Sequence, residues 1–253
     1  MAYITAGQSN TSADLVIFDK DGTLFDFKSM WKRIFDLQAN ALRSVVGDDE
    51  GLFAEMSASM GVDQGTGKMD PRGPLALATY AEIQSIMALS LYRHGWGWDQ
   101  AVPLIADVTD KRRWPPLAEM ARPIGDVRGL FAAIRAAGAY VGVVTTDNRD
   151  VTHDMLRLAG ADELVSGIVC ADDGVPLKPA PDGVLLLCRQ LSVAPSRVIM
   201  VGDSPTDMQA GRAAGVAACI GVLTGVSQAG DLESLAHVVL PSIRELHVSA
   251  TPA

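Results

Sequence analysis

A parallel α/β sheet interrupted once by a helical insertion is the fold this sequence predicts, and three observations carry that reading. Short apolar runs rich in Val or Ile recur along most of the chain, and helical patterns fill the gaps between them. The stretch 27–116 departs from this alternation, with helical spacing of its apolar residues and no convincing strand.

The first apolar run, Asp14-Leu15-Val16-Ile17-Phe18, ends at a cluster of carboxylates. Further runs follow at 140–144, 164–170 and 198–201, with weaker candidates at 216–220 and 237–240. Their continuous apolar character suits strands buried on both faces. Helical patterns cover 127–137, 150–158, 181–191 and 206–214, and Gly138, Gly160 and Gly215 stand where helix C-caps belong. Within the insertion, helices are predicted over 28–46, 75–94, 52–60 and 98–110, with 61–74 as a Gly- and Pro-rich loop. A domain inserted just after the first strand sits at that strand's carboxyl end, where ligands bind in parallel sheets. The predicted division is therefore a core of 1–26 and 117–253 and a helical domain of 27–116. The segments 25–27 and 114–122 are the candidate hinges between them.

Composition narrows the class of partner. The 253 residues are 48% hydrophobic and 20% charged, with net charge −9 and a mean hydropathy of +0.18. Such a chain supports a sizeable core, and its acidity disfavours nucleic acid and anionic membrane surfaces as partners. Residues 1–13 are polar and small, without the pattern of a signal peptide, and no apolar window approaches 18 residues. The three cysteines, Cys170, Cys188 and Cys219, form no C-x-x-C pair and read as reduced core thiols. A cytoplasmic protein, monomer or homodimer, is expected.

Two acidic clusters carry the chemistry. Asp19-Lys20-Asp21-Gly22-Thr23-Leu24 follows the first strand, and Gly202-Asp203-Ser204-Pro205-Thr206-Asp207 follows the strand at 198–201. The first is by itself equally an ordinary Asp–Gly turn, and the second equally a helix start with Ser204 or Asp203 capping and Pro205 at the first helical position. Together, acidic ends on two strands can converge on a hard cation, and oxygen ligands point to magnesium. Thr145-Thr146-Asp147-Asn148, after the second core strand, is either an anion cradle at a helix start or a plain N-cap. Lys178 lies in the proline-stiffened Lys178-Pro179-Ala180-Pro181 and is, taken alone, a surface lysine.

D-x-D-G-T-L, a strand ending in threonine, K-P-x-P and G-D-S-x-x-D occur in that order, and the set resembles the four motifs of the haloacid dehalogenase superfamily, its phosphatases in particular. The resemblance covers most of the chain outside the insertion. It implies a Rossmann-like core carrying a helical cap of the first subclass, similar to phosphoglycolate phosphatase-like enzymes. It implies that Asp19 is the nucleophile, and that Asp21 is general acid then base and gives its backbone carbonyl to Mg²⁺. Asp203 would be a direct metal ligand, with Asp207 binding or orienting from behind. Thr145 would hydrogen-bond the phosphoryl oxygens, and Lys178 would neutralise charge on both nucleophile and phosphate. The implied reaction is hydrolysis of a small phosphorylated metabolite.

The sequence departs from the common pattern where Thr146 and then Asp147 follow Thr145. Thr146 is a candidate to share the phosphate contact, whereas Asp147 brings unwanted negative charge. Asp21 disfavours dehalogenation, since a halide leaves without a proton. A phosphonatase would need a cap lysine, for which Lys28, Lys32 and Lys68 are candidates. A sugar phosphomutase would use the same four motifs, and a catalytically silent binding protein could share the fold. In the cap, Lys68 and Arg72 are either substrate anchors or solvated cations. Tyr92, Trp96 and Trp98 either line a pocket or pack the cap core. His94, His153, His237 and His247 occupy no motif position.

Overall fold

The computed structural model describes residues 1–251. It separates into two compact units, one of Met1–Lys28 with Ala121–Ala253 and the other of Ser29–Met120.

Among the described residues the first unit contains nine strands. They are β1 (Ala2–Ala6), β2 (Ser9–Ala13), β3 (Leu15–Phe18), β4 (Tyr140–Val144), β5 (Gly167–Val169), β6 (Val198–Gly202), β7 (Ala218–Val222), β8 (Val238–Leu240) and β9 (Leu246–Ser249). Six of them form a parallel sheet in the order β5-β4-β3-β6-β7-β8. Chain order runs outward from β3 in both directions, so the order reverses beside β3, and the crevice there is the expected ligand position. Every residue of β3, β6 and β7 is buried. Each such Val, Ile or Leu contributes about 1.5–3 kcal/mol by leaving water, which fixes these strands at the centre of the core. In register, Phe18 stands beside Val143 of β4 and Val201 of β6, so three neighbouring strands end at one level.

Several strands are shorter or shifted relative to expectation. The run at 164–170 yields only β5, because Asp162–Leu164 closes a 3-10 turn instead. The run at 216–220 begins and ends two residues later, after the left-handed Gly215 at the end of the preceding helix. A second sheet was not foreseen: β1 pairs antiparallel with β2 and with β9. In β1 the buried residues Ala2, Ile4 and Ala6 alternate with half-buried ones. Alanines at period two are a weak strand signal, and the partner β9 is supplied by the far end of the chain.

The two chain connections at the predicted hinges lie side by side within this unit. Phe25 bridges antiparallel to Pro123, Asp26 N–H donates to Arg122 O at 2.9 Å, and Ile124 N–H donates to Leu24 O at 2.8 Å.

The second unit is helical. Its helices are Phe27–Val46, Glu50–Ser59, Pro74–Leu77, Tyr80–Arg93, Trp98–Val108 and Leu117–Met120. The helix expected over 75–94 is broken at Ala78 and Thr79, because Thr79 and Glu82 form a capping box that starts the helix Tyr80–Arg93 afresh. Residues 61–73 form a loop with one antiparallel bridge between Val62 and Met69, and Pro74 already opens the next helix. Lys68 and Arg72 are exposed on that loop. Tyr92 and Trp98 stack edge to face at 6.3 Å, but both are exposed, at 56% and 49%, so neither packs the core of this unit. The aromatic packing is elsewhere, in Trp31, Tyr80 and Trp114, whose centroids lie 5.7 to 6.5 Å apart.

Candidate active site

Local backbone geometry places the acidic cluster that follows β3. Asp19 N–H donates to Val201 O at 2.9 Å, extending the β3–β6 ladder by one residue and fixing the first carboxylate at the strand's end. The chain then turns tightly: Leu24 and Phe25 N–H both reach Lys20 O, and Gly22 N–H reaches Phe25 O. Gly22 has φ +85°, and a Cβ there would lie 2.6 Å from the carboxyl carbon of Asp203. Only glycine meets both demands.

The cluster after β6 reaches the same place by a different route. Ser204 caps the helix Pro205–Ala214, Pro205 occupies its first turn, and Asp207 completes a capping box. Ser204 N–H and Oγ donate to Asp207 Oδ2 at 3.0 and 2.6 Å. The other oxygen, Oδ1, accepts from Lys178 Nζ at 2.5 Å, and the same ammonium donates to Asp19 Oδ1 at 2.6 Å. Asp207 is thus both cap and site residue, and Lys178 is buried rather than solvated, with 5% of its side chain exposed.

Asp203 meets the site from the end of β6. It accepts from Thr23 Oγ1 at 3.3 Å. A Cβ on Gly225 would fall 1.6 Å from its Oδ2, and Thr224 Oγ1 donates to Gly22 O at 2.6 Å, so the loop after β7 presses directly on this carboxylate. Oxygens of Asp19, Asp203 and Asp207 lie within 4.8 Å of one another and all three residues are buried. A hard divalent cation with oxygen ligands fits that donor set. The carboxylate of Asp21 lies outside it.

Burial without enough compensating charge shows in the electrostatics. Desolvation pushes Asp19 up to about 7, with Lys178 opposing and Asp207 adding to the rise. Desolvation, then the neighbouring Asp19 and Asp207, holds Asp203 well above the usual carboxylate range. Burial likewise raises Asp21 against the pull of Lys20. On Lys178, burial is outweighed by Asp19 and Asp207, which hold it firmly protonated. Carboxylates raised by burial and by like charge stand ready for a cation or a proton.

The second strand end differs most from expectation. Thr145 is buried at the end of β4, with its N–H donating to Val169 O at 3.0 Å. Its Oγ1 accepts from Asp147 N–H at 3.1 Å, and a hydroxyl that accepts can still donate its own proton. Thr146 beside it is half-buried and enters none of the site's hydrogen bonds among the described residues. The charge of Asp147 is not left to repel a substrate anion, because Lys20 Nζ lies 3.2 Å from its Oδ2. Lys20 was invisible as a site residue because it occupies the variable position between two aspartates. Thr23, Ser204, Thr224 and Gly225 were given no site role; Thr23 and Ser204 stood within the acidic motifs, Ser204 also as a cap, whereas Thr224 and Gly225 carried no signal.

The three cysteines are buried and free, and burial raises the thiols of Cys170 and Cys219 to about 11, so none is a nucleophile at neutral pH. No helix among the described residues is long and apolar enough to cross a membrane.

Comparison with known proteins agrees with this architecture. The chain is 38% identical over 98 residues to the N-acetylmuramic acid 6-phosphate phosphatase of Pseudomonas aeruginosa, a stretch covering 39% of this chain and 43% of that protein's length. It is 26% identical over 233 residues to the phosphoglycolate phosphatase of Escherichia coli O157:H7, covering 91% and 90% of the two. The crystal structure of a predicted phosphoglycolate phosphatase from Haemophilus somnus superposes with a TM-score of 0.67 at 19% identity, covering 92% of this chain and 95% of that one, and shares the fold. The model of the haloacid dehalogenase-like hydrolases matches residues 13–215, and the chain belongs to that family.

Proposed function

We propose that the protein is a phosphatase that hydrolyses a phosphate monoester of a small metabolite through an aspartyl phosphate on Asp19. The observation that carries this reading is the meeting of Asp19 with Lys178, at 2.6 Å, beside the buried carboxylates of Asp203 and Asp207.

In the first half-reaction a carboxylate oxygen of Asp19 attacks phosphorus. The bond from phosphorus to the leaving oxygen breaks, its electron pair stays on that oxygen, and Asp21 supplies the proton. In the second, water attacks the same phosphorus, gives a proton back to Asp21, and the bond to Asp19 breaks to free phosphate. Lys178 neutralises charge on Asp19 and the incoming phosphoryl group, and Thr145 donates its hydroxyl proton to a phosphoryl oxygen. Mg²⁺ would be held by Asp19, Asp203, the Asp21 carbonyl and, directly or through orientation, Asp207. When bound it would supply Lewis-acid stabilisation of the phosphoryl charge.

The helical unit, residues 27–116 by sequence and Ser29–Met120 by compactness, serves in this reading as the cap that selects the substrate. The relatives' names favour a small, anionic or sugar-derived ester, with phosphoglycolate the first to test, and a cytoplasmic setting suits the reduced thiols.

The test is phosphate release from a panel of esters that includes p-nitrophenyl phosphate and 2-phosphoglycolate, in Mg²⁺ and then in EDTA. Asp19→Asn runs beside the native chain. Metal-dependent release that vanishes in the variant is expected. No release from any ester by folded protein would sink the reading.

A further inference from the structure

Lys20 has no exposed surface, although lysine is almost never fully buried unless its charge is paired. Its ammonium has three donors, and the structure uses three directions. Nζ lies 2.7 Å from Asp21 Oδ1, 3.2 Å from Asp147 Oδ2 and 3.1 Å from the sulfur of Met155. An ammonium so enclosed cannot turn to meet a substrate. What it does is join the loop after β3 to the loop after β4. On the far side, Asp147 Oδ1 accepts from Asn148 N–H at 2.7 Å while Asp147 N–H donates to Thr145 Oγ1. The far end of the bridge is therefore held by its own loop. On the near side Lys20 engages only Oδ1 of Asp21, so Oδ2 remains for chemistry.

We infer that Lys20 and Asp147 are a positioning pair that clamps Asp21 by one oxygen and thereby aims the other at the leaving oxygen of the substrate. This rests on the phosphatase reading above. The proton moves from Asp21 Oδ2 to the leaving oxygen as the phosphorus–oxygen bond breaks, and the pair itself gains and loses nothing. The two residues form one device: without Lys20 the buried Asp147 would lose its cation, and without Asp147 Lys20 would be left with Asp21 alone.

The leaving group tests the inference. An alkyl oxygen needs the proton, whereas p-nitrophenolate departs largely without it. The ratio of kcat/KM for the best alkyl ester, chosen among 2-phosphoglycolate, glycerol phosphate and glucose 6-phosphate, to that for p-nitrophenyl phosphate therefore reports how well Asp21 is aimed. The double variant Lys20→Met/Asp147→Asn removes the bridge while balancing charge, and Asp147→Asn alone keeps Lys20 in place. The ratio is expected to fall about 10-fold or more in the double variant, part of the 100- to 10,000-fold that general acids supply, and less in Asp147→Asn. An unchanged ratio in the variants that fold, with both esters slowed equally or not at all, would overturn the pair's positioning role. Native protein that releases no phosphate would overturn the phosphatase reading, and this inference with it. Release by the native protein with an unchanged ratio in the variants overturns this inference alone.

Discussion

Lys178 reaches Asp19 across 159 positions of sequence to donate a 2.6 Å hydrogen bond to its Oδ1, and both side chains are buried, with 5% and 9% exposed. The contact places a fixed positive charge beside Asp19, where the proposed reaction brings a phosphoryl group against that carboxylate. Lys178→Met keeps the length of the side chain and removes that charge. Its kcat/KM should fall by about 100- to 1,000-fold, the loss typical of one preorganised donor. The same change leaves Asp19 and Asp207 unpaired, so in EDTA its loss of Tm should be larger at pH 8 than at pH 5, where Asp19 takes up a proton. Equal losses of Tm at the two pH values would count against the pairing.

The metal-free protein should itself be pH-sensitive. Asp19 titrates at about 7 in the folded chain against an ordinary value of 3.8, and Asp203 and Asp21 are raised as well. Between those values the folded state holds protons that the unfolded state has released. Stability is therefore greatest at the acidic end and is lost as pH rises through 7. Urea melts in EDTA from pH 4.5 to 8 should show this decline, and Asp19→Asn should flatten it. Mg²⁺ should raise Tm more at pH 8 than at pH 5, since a cation binds the ionised carboxylates.

Gly225 is expected to control metal affinity without touching the metal. A Cβ there would meet Asp203 Oδ2 at 1.6 Å, so Gly225→Ala must displace the carboxylate or the loop. The Mg²⁺ concentration for half-maximal activity should rise about 10- to 100-fold, the usual cost of disturbing a ligand's support. An unchanged Mg²⁺ requirement in folded Gly225→Ala would contradict the expected control of metal affinity by this glycine.

Ser204→Ala should act on stability first. It removes the cap of the helix Pro205–Ala214 and the 2.6 Å hydrogen bond that orients Asp207. A loss of about 1–2 kcal/mol in denaturant melts is expected, in the range for N-cap serines. A lower apparent Mg²⁺ affinity should accompany it, because Asp207 would lose one of the three hydrogen bonds to its carboxylate. Full retention of both would contradict the dual role of that aspartate.

The parallel core was legible because its strands are buried on both faces and so read as unbroken Val and Ile runs, ending where the polar residues begin. Asp19 and Asp203 were legible for the same reason: a carboxylate directly after such a run has no packing purpose. The N-terminal sheet was not, since β1 and β2 carry little apolar surface and β9 lies more than 230 residues away. Local pattern alone could not separate the helix Tyr80–Arg93 from the residues before it either, because only the Thr79–Glu82 capping box marks the break.

By itself, then, the order of residues determined which strand ends carry acids and that a helical unit interrupts the core after the first of them. Tertiary structure decided which charges are paired. Lys20 looked like a spacer and Asp147 like a defect until folding set them 3.2 Å apart, and Lys178 looked like surface until it closed on Asp19 and Asp207. The physical reason is that strand burial follows from local hydrophobic pattern. The compensation of a buried charge depends on groups that only folding brings together, as Asp19 is brought to Lys178 across 159 positions.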